Sequence, residues 1–522
     1  MNKNILFIMC DQLRHDYLGC TGHPSLKTPN IDLLASRGML FENSYCNASL
    51  CGPSRASFYT GRYMTSHGVM ANDDPIRVDE VTLGDYMREL GCEAHVVGKS
   101  EGRPNTESFS RLKIPLDSEI AQDRNDNGFT PFEHYGGLYP EPIVHDGVGY
   151  NDYLLSQGYE MHNPWENAAN TATNKSGLKC SGWEMRNAHL PSDINEKHSE
   201  TAFLTNRAID YISTRNKDAP WCLHLSYFNP HWPLLAPSPF HKMYKENDVI
   251  GVVKDKIEMK NPHPVFSAFQ QLEYSRNYTD EEKRKHVIPT YMGLISEIDH
   301  HIGRLITFLD ENNLSRNTLI IFTSDHGDYL GDHWLGEKDL FHEPSIRIPL
   351  IIVEPEMPEN LRGSSENRMV ESVDIVPTLV ETMGGSYVSN RMEGRSLVPL
   401  LFGDNPAWRD TVFAEIDYSD RGAREILDQH PYKCRGYMIK NTQWKYIYWE
   451  GFRAQLFDLL NDPNEFNDLA ENQNQSDRLA DFEKQLFAWL RQRKQRTEVH
   501  LDELYKRSPE ADEKAGIIIG RW

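Results

Sequence analysis

A chain of 522 residues holds one large domain with a smaller companion, or two to three domains of ordinary size. With 39% hydrophobic and 25% charged residues the composition is globular, and a formal net charge of −22 argues against nucleic acid and anionic membrane as bulk partners. Any anionic substrate must therefore meet a local positive site built from a metal, Lys or Arg.

The first apolar run, Ile5 to Cys10, breaks at Asp11. It is too short for the core of a signal peptide and reads as a buried strand, Asn4 to Cys10. Thr28 to Arg37 follows as a helix, with Thr28-Pro29 at its start and Gly38 at its end. Thr82 to Leu90 repeats that pattern before Gly91, and Ala94 to Val97 is the next strand. Residues 102–197 are rich in Asn, Gly, Pro and Tyr and have weak periodicity. They read as an irregular insertion over the sheet, a lid, a subunit contact or packed decoration.

Regular alternation then resumes. Ser199 to Arg215 is an amphipathic helix leading to the strand Trp221 to Tyr227. Pro289 to Asn312 is a long helix leading to the strand Thr318 to Thr323. Leu350 to Val353 is a short strand, and Asp374 to Met383 a helix with Pro377 near its start. Repeated strand–helix–strand order predicts an α/β domain over residues 1–400, with a mostly parallel sheet covered on both faces. Residues 401–522 have a different texture. Thr411 to Ile416, Arg435 to Lys440, Trp444 to Trp449 and Gln455 to Asp458 read as short hairpin strands, and Ser476 to Arg493 as a helix. They predict a small C-terminal α+β subdomain. The apolar tail Gly516 to Trp522 is expected to pack on the body or on a neighbouring subunit.

No segment approaches the roughly 20 apolar residues that a membrane span needs. The 8 cysteines (Cys10, Cys20, Cys46, Cys51, Cys92, Cys180, Cys222 and Cys434) are scattered without a Cys-x-x-Cys pair. That usage fits a reducing compartment, and a cytoplasmic location is expected.

The densest motif is Cys51-Gly52-Pro53-Ser54-Arg55-Ala56-Ser57-Phe58-Tyr59-Thr60-Gly61. An isolated cysteine is most often a small buried thiol. Two further motifs stand just after predicted strands: Asp11-Gln12, and Asp325-His326-Gly327. Sites in open α/β sheets form beyond the carboxyl ends of strands. Either Asp alone reads as a helix cap. Both in one chain with Cys51 favour a divalent metal site.

The Cys51 segment resembles the signature of the formylglycine-dependent sulfatases, in the alkaline phosphatase superfamily. The resemblance continues through Asn4 to Gln12, Thr28-Pro29-Asn30-Ile31-Asp32, Asn229-Pro230-His231-Trp232-Pro233, and Thr323-Ser324-Asp325-His326-Gly327 with Leu330-Gly331-Asp332-His333. It ends with Lys338 and Ser345-Ile346-Arg347-Ile348-Pro349-Leu350. It is greatest to the arylsulfatase and phosphonate monoester hydrolase group, and it spans roughly the first 400 residues in the family's order.

The resemblance implies an alkaline-phosphatase-like fold and a maturation enzyme that oxidises Cys51 to formylglycine. It implies a hydrated aldehyde as nucleophile and one divalent ion (Ca, Mg or Mn) on Asp11, Gln12, Cys51, Asp325 and His326. Arg55 would hold the deprotonated diol. Asn72, Lys99, His231 and Lys338 would contact the substrate, His231 and Lys338 also serving the leaving group. The implied reaction is hydrolysis of a small anionic sulfate ester. The alternative is a phosphonate monoester or phosphodiester at the same site. A homodimer or homotetramer is expected.

One position departs from the pattern. Val97-Gly98-Lys99-Ser100-Glu101 stands where common sulfatases carry Lys-x-His. Lys99 leans toward sulfate. Glu101 reads as a base, as a partner that orients Lys99, or as a solvent-facing residue. Trp232, Trp334 and Phe341 flank mapped residues and fit either an aryl or sugar pocket or core packing.

Overall fold

A computed structural model describes residues 3–142, 148–215 and 219–506. The tail at 516–522, expected to pack on the body or a neighbour, lies outside them.

Eight strands form the main sheet: β1 (Asn4–Asp11), β2 (Met39–Phe41), β3 (Ala94–Gly98), β4 (Thr130–His134), β5 (Cys222–Pro230), β6 (Thr318–Ser324), β7 (Leu350–Val353) and β8 (Ser364–Glu366). Their spatial order is β8-β2-β7-β6-β1-β5-β3-β4. β1 is parallel to both β5 and β6, and β3 is parallel to both β5 and β4. β7 runs antiparallel to β6 and β2, so the sheet is mixed but mostly parallel.

β1 explains the layering. Ile5, Phe7 and Met9 enter one core, and Leu6, Ile8 and Cys10 the other. A strand buried on both faces reads as a continuous apolar run, which is the signal in its sequence. The second face is covered by α1 (Pro29–Arg37), α4 (Glu200–Thr214) and α5 (Glu281–Glu311), and the first by α2 (Cys51–Thr60), α3 (Leu83–Glu89) and α6 (Ile375–Thr382).

Two expectations need correction. α5 begins at Glu281 rather than Pro289, which lies inside the helix. Asp280 caps the earlier start by accepting from the Glu282 and Lys283 amides. The one backbone hydrogen bond that Pro289 forfeits is outweighed by a face buried through Val287, Ile288, Tyr291 and Met292. Within 102–197, β4 is an edge strand of the main sheet, so this segment is not wholly an insertion lying over it. Its mixed polarity hid the strand, because an edge strand has one solvent-facing side.

After residue 401, β9 (Val412–Asp417), β10 (Arg435–Lys440), β11 (Trp444–Trp449) and β12 (Gln455–Asp458) form an antiparallel sheet in sequence order. α7 (Ser476–Arg491) packs Phe482, Leu486 and Trp489 against Trp444, Tyr446 and Leu456. The opposite face, with Ala414, Met438, Ile447 and Trp449, continues the core of the main domain.

Candidate active site

Four parallel strands end side by side. Asp11 is the last residue of β1, Lys99 follows β3, His231 follows β5, and Asp325 follows β6. The register pairs Cys10 with Ser324 and Gly98 with Ser226, so these side chains emerge on one edge of the sheet. Gly98 adopts φ +110, and a Cβ there would stand 1.9 Å from the Ser226 carbonyl oxygen. Only glycine permits that turn, which delivers Lys99 to the centre.

Cys51 opens α2, all of whose residues are buried. Its Sγ lies 3.1 Å from His326 Nε2, 3.3 Å from Lys338 Nζ and 3.7 Å from Asp11 Oδ1. Asn72 Oδ1 accepts from the Gly52 amide at 2.9 Å, beside the start of that helix. A Cβ on Gly52 would stand 2.9 Å from Asn72 Cα, so this close approach also requires glycine.

Arg55, one turn along α2, is fully buried. Its Nε donates to Asp325 Oδ2 at 2.9 Å and its Nη2 to Asp11 Oδ2 at 3.1 Å. Its Nη1 donates to the Lys99 carbonyl and to Ser226 Oγ. One planar guanidinium thereby fixes three strand ends, which the point charge of a lysine cannot do. Burial opposes ionisation of Asp11, but the charges of Lys99, Arg55 and Lys338 hold its carboxyl well below the usual range.

Asp11, Cys51, Asp325 and His326 bring one ligand atom each within 4.8 Å of one another, all buried. His326 gives its Nδ1 hydrogen to the Gly327 carbonyl at 2.9 Å, which leaves the Nε2 lone pair facing Cys51. Burial lowers its pKa, favouring the neutral ligand form. Two carboxylates, a neutral imidazole and an oxygen in place of the thiol suit a hard divalent cation. Gln12, in the left-handed region with φ 64, receives Lys338 Nζ on its Oε1 at 2.8 Å. The same ammonium reaches Cys51.

The Cys51 thiol is pushed up to about 12, by burial first and by Asp11 next. It is protonated at neutral pH and is a weak nucleophile as it stands. Lys338 Nζ also meets His231 Nε2 at 3.0 Å. His231 Nδ1 faces the Trp232 carbonyl at 2.6 Å and donates to it, so Nε2 accepts from Lys338. Burial and then the Lys338 charge push the His231 pKa well down. Lys338 therefore carries the mobile proton and His231 the lone pair.

Lys99 Nζ bonds Asp11 Oδ2 at 2.8 Å and Glu101 Oε2 at 2.9 Å. Glu101 is a partner of Lys99 and not a solvent-facing side chain. Its other oxygen meets Arg103 Nη2 at 3.3 Å, and Arg103 Nε meets Asp73 at 3.3 Å. A chain of alternating charge thus runs from the centre to the rim.

Sequence reasoning missed the carboxylates behind Gln12. Gln12 Nε2 donates to Asp328 Oδ2 at 2.5 Å and to Glu337 Oε2 at 3.3 Å. Burial raises both carboxyl pKa values, and for Asp328 the Glu337 charge adds to it. Their adjacency to Asp325-His326 and to Lys338 was the available signal.

A cavity of about 670 Å³ opens above the site. Lys99, His231 and Lys338 form its reactive wall, Trp183 and Trp232 meet at 6.0 Å between ring centroids, and Arg421 enters from the C-terminal subdomain. Trp232 is thus a pocket residue. Trp334 stacks under Lys254 and bonds the Asp255 carbonyl, away from the cavity lining. Phe341 is core, packed on Trp449.

The fold and this strand-end constellation define a hydrolase of the alkaline phosphatase superfamily. The sulfatase family model matches residues 3–386, and the chain belongs to that family. The model for the C-terminal part of N-sulphoglucosamine sulphohydrolase matches residues 331–493. The chain is 31% identical to a multifunctional alkaline phosphatase superfamily protein of Trinickia caryophylli, over 97% of this chain and 98% of that one. It is 28% identical to an arylsulfatase of Clostridium perfringens, covering 92% of each chain. The phosphonate monoester hydrolase structure from Silicibacter pomeroyi superposes with a TM-score of 0.82 at 25% identity, over 95% of this chain and 96% of that one.

Proposed function

We propose that this protein hydrolyses sulfate esters by S–O cleavage, releasing sulfate and an alcohol or phenol. Residue 51 acts as formylglycine with a divalent ion (Ca, Mg or Mn) on Asp11, Gln12, Asp325, His326 and residue 51. The observation that carries this reading is the convergence of His326, Lys338 and Asp11 on Cys51 Sγ beside an open cavity. A hydrated aldehyde at residue 51 would supply one hydroxyl for attack and a second through which the product leaves, and the cation would supply positive charge there.

The chain's own residues do the rest. Arg55 sets the spacing of the two carboxylates. Lys99 and Lys338 face the ester anion with positive charge. Lys338 gives one proton to the departing oxygen and becomes a neutral amine, while His231 Nε2 accepts a second Lys338 hydrogen and orients the ammonium. Trp183 and Trp232 accept the apolar part of the ester.

A second reading, a phosphonate monoester or phosphodiester hydrolase at the same site, is supported by one feature as well as the first is. Glu101 offsets the Lys99 charge, which suits any singly charged tetrahedral ester. The ratio of kcat/KM for matched aryl sulfate and aryl phosphonate esters decides between them.

The test of the nucleophile is the mass of the Cys51 peptide after expression with a formylglycine-generating enzyme. Conversion makes it about 18 Da lighter. Activity that tracks the lighter fraction supports the reading. A persistent thiol beside a converted control sulfatase overturns it.

A further inference from the structure

Beneath the strand end that carries His231 lies a second chamber, of about 40 Å³. Four parts of the fold meet there. Asn170 and Ser192 come from the irregular segment, Glu200 from the start of α4, Asn229 from the end of β5, and Glu297 from the middle of α5. No Lys, Arg or His is among its lining residues.

Glu297 is fully buried, and neither of its carboxylate oxygens meets a hydrogen-bond partner. Glu200 receives the Tyr135 hydroxyl on Oε2 at 2.6 Å, while its Oε1 has no partner. Ser192 Oγ and Asn170 Oδ1, both buried, are likewise without one. Five oxygens from four side chains line the same small space. Native folds leave only a few such groups unmatched, and here several share one small space.

Protonation does not resolve this. A neutral Glu297 finds only the Ser199 hydroxyl beside it, and that pairing leaves the Glu200, Ser192 and Asn170 oxygens unmatched. Burial pushes Glu297 up to about 8 and Glu200 up to about 7, the direction desolvation drives a carboxylate. A divalent ion would neutralise both carboxylates. The space admits an ion with a water or two. An all-oxygen donor set selects the hard cations over zinc or copper.

We propose that this chamber is a structural site for a hard divalent cation of the calcium class, held by Glu200, Glu297, Ser192 and Asn170. Bound there, the ion ties the irregular segment to α4, α5 and the strand end bearing His231. The site is separate from the Asp11–Cys51–Asp325–His326 cluster and does not depend on the sulfatase reading.

The test is equilibrium dialysis of the full-length protein against radioactive calcium chloride, in two backgrounds: wild type and Asp325→Asn. Adding Glu297→Gln is expected to remove one bound calcium per chain in each background. It is also expected to abolish the calcium-induced rise in melting temperature of the Asp325→Asn protein. Equal calcium binding with and without Glu297→Gln overturns the proposal, the chamber then holding water only. Failure of the active-site metal reading shows in a different comparison, as wild type and Asp325→Asn binding the same amount. If Glu297→Gln does not fold, Ser192→Ala serves. A calcium affinity at this site weakened about tenfold supports the proposal, and an unchanged affinity overturns it.

Discussion

Glu101 Oε2 lies 2.9 Å from Lys99 Nζ, so the carboxylate offsets the charge of a lysine that also touches Asp11. Glu101 thereby lowers the net positive charge offered to a substrate anion. Glu101→Gln is expected to improve kcat/KM for a dianionic aryl phosphate relative to the matched aryl sulfate by about tenfold, equivalent to ~1.4 kcal/mol. Steady-state kinetics on the two esters checks this. An unchanged ratio means that Glu101 only orients Lys99.

Lys338 is placed to protonate the departing oxygen. Lys338→Ala is expected to lower kcat by roughly 10²–10⁴-fold for an alkyl sulfate, with a much smaller loss for a nitrophenyl sulfate that leaves without help. Rates across a series of leaving groups measure the change as a steeper dependence on leaving-group pKa. A uniform loss across the series would show Lys338 acting on sulfate binding instead.

Arg55 is buried between two carboxylates, Asp11 and Asp325. Arg55→Met leaves Asp325 without its charge partner and Asp11 with Lys99 alone. It is expected to destabilise the fold by about 3–5 kcal/mol, as removal of one partner from a buried charge pair does. Arg55→Lys retains charge but loses the fork and is expected to fold without activity. Urea unfolding and assay of the two variants separate the outcomes.

Glu415, on β9, accepts from both the amide and hydroxyl of Thr65. Burial pushes its carboxyl up to about 7. Because the folded value exceeds the unfolded one of about 4.3, the folded state binds the extra proton. Its stabilising contribution is full below about pH 4 and is lost as pH rises through 7. Urea midpoints at pH 5 and pH 8 are expected to differ less in Glu415→Gln than in the parent. Parallel curves would remove Glu415 from the pH dependence.

Much of the site was legible because its residues sit where local chemistry leaves a mark. β1 is continuous apolar sequence because both its faces are buried, and Asp11 ends it where the chain leaves the core. The run Cys51 to Gly61 and the pair Asp325-His326 lie in short stretches whose spacing survives in one dimension. α5 was legible only in part. Pro289 pointed to a start that Asp280 and a long apolar face override, and such tertiary packing has no local signature.

The sequence by itself therefore determined the alternation of strand and helix, the kinds of residue at the strand ends and the family they resemble. Only the tertiary structure decided that Glu101 faces Lys99, that Asp328 and Glu337 grip Gln12, and that Glu200 and Glu297 share a chamber. Apart from Glu101 and Lys99, which stand two positions apart, those relations join residues far apart in the chain. Their strength depends on burial and distance, because a charge finds its partner through a low-dielectric interior and not along the backbone.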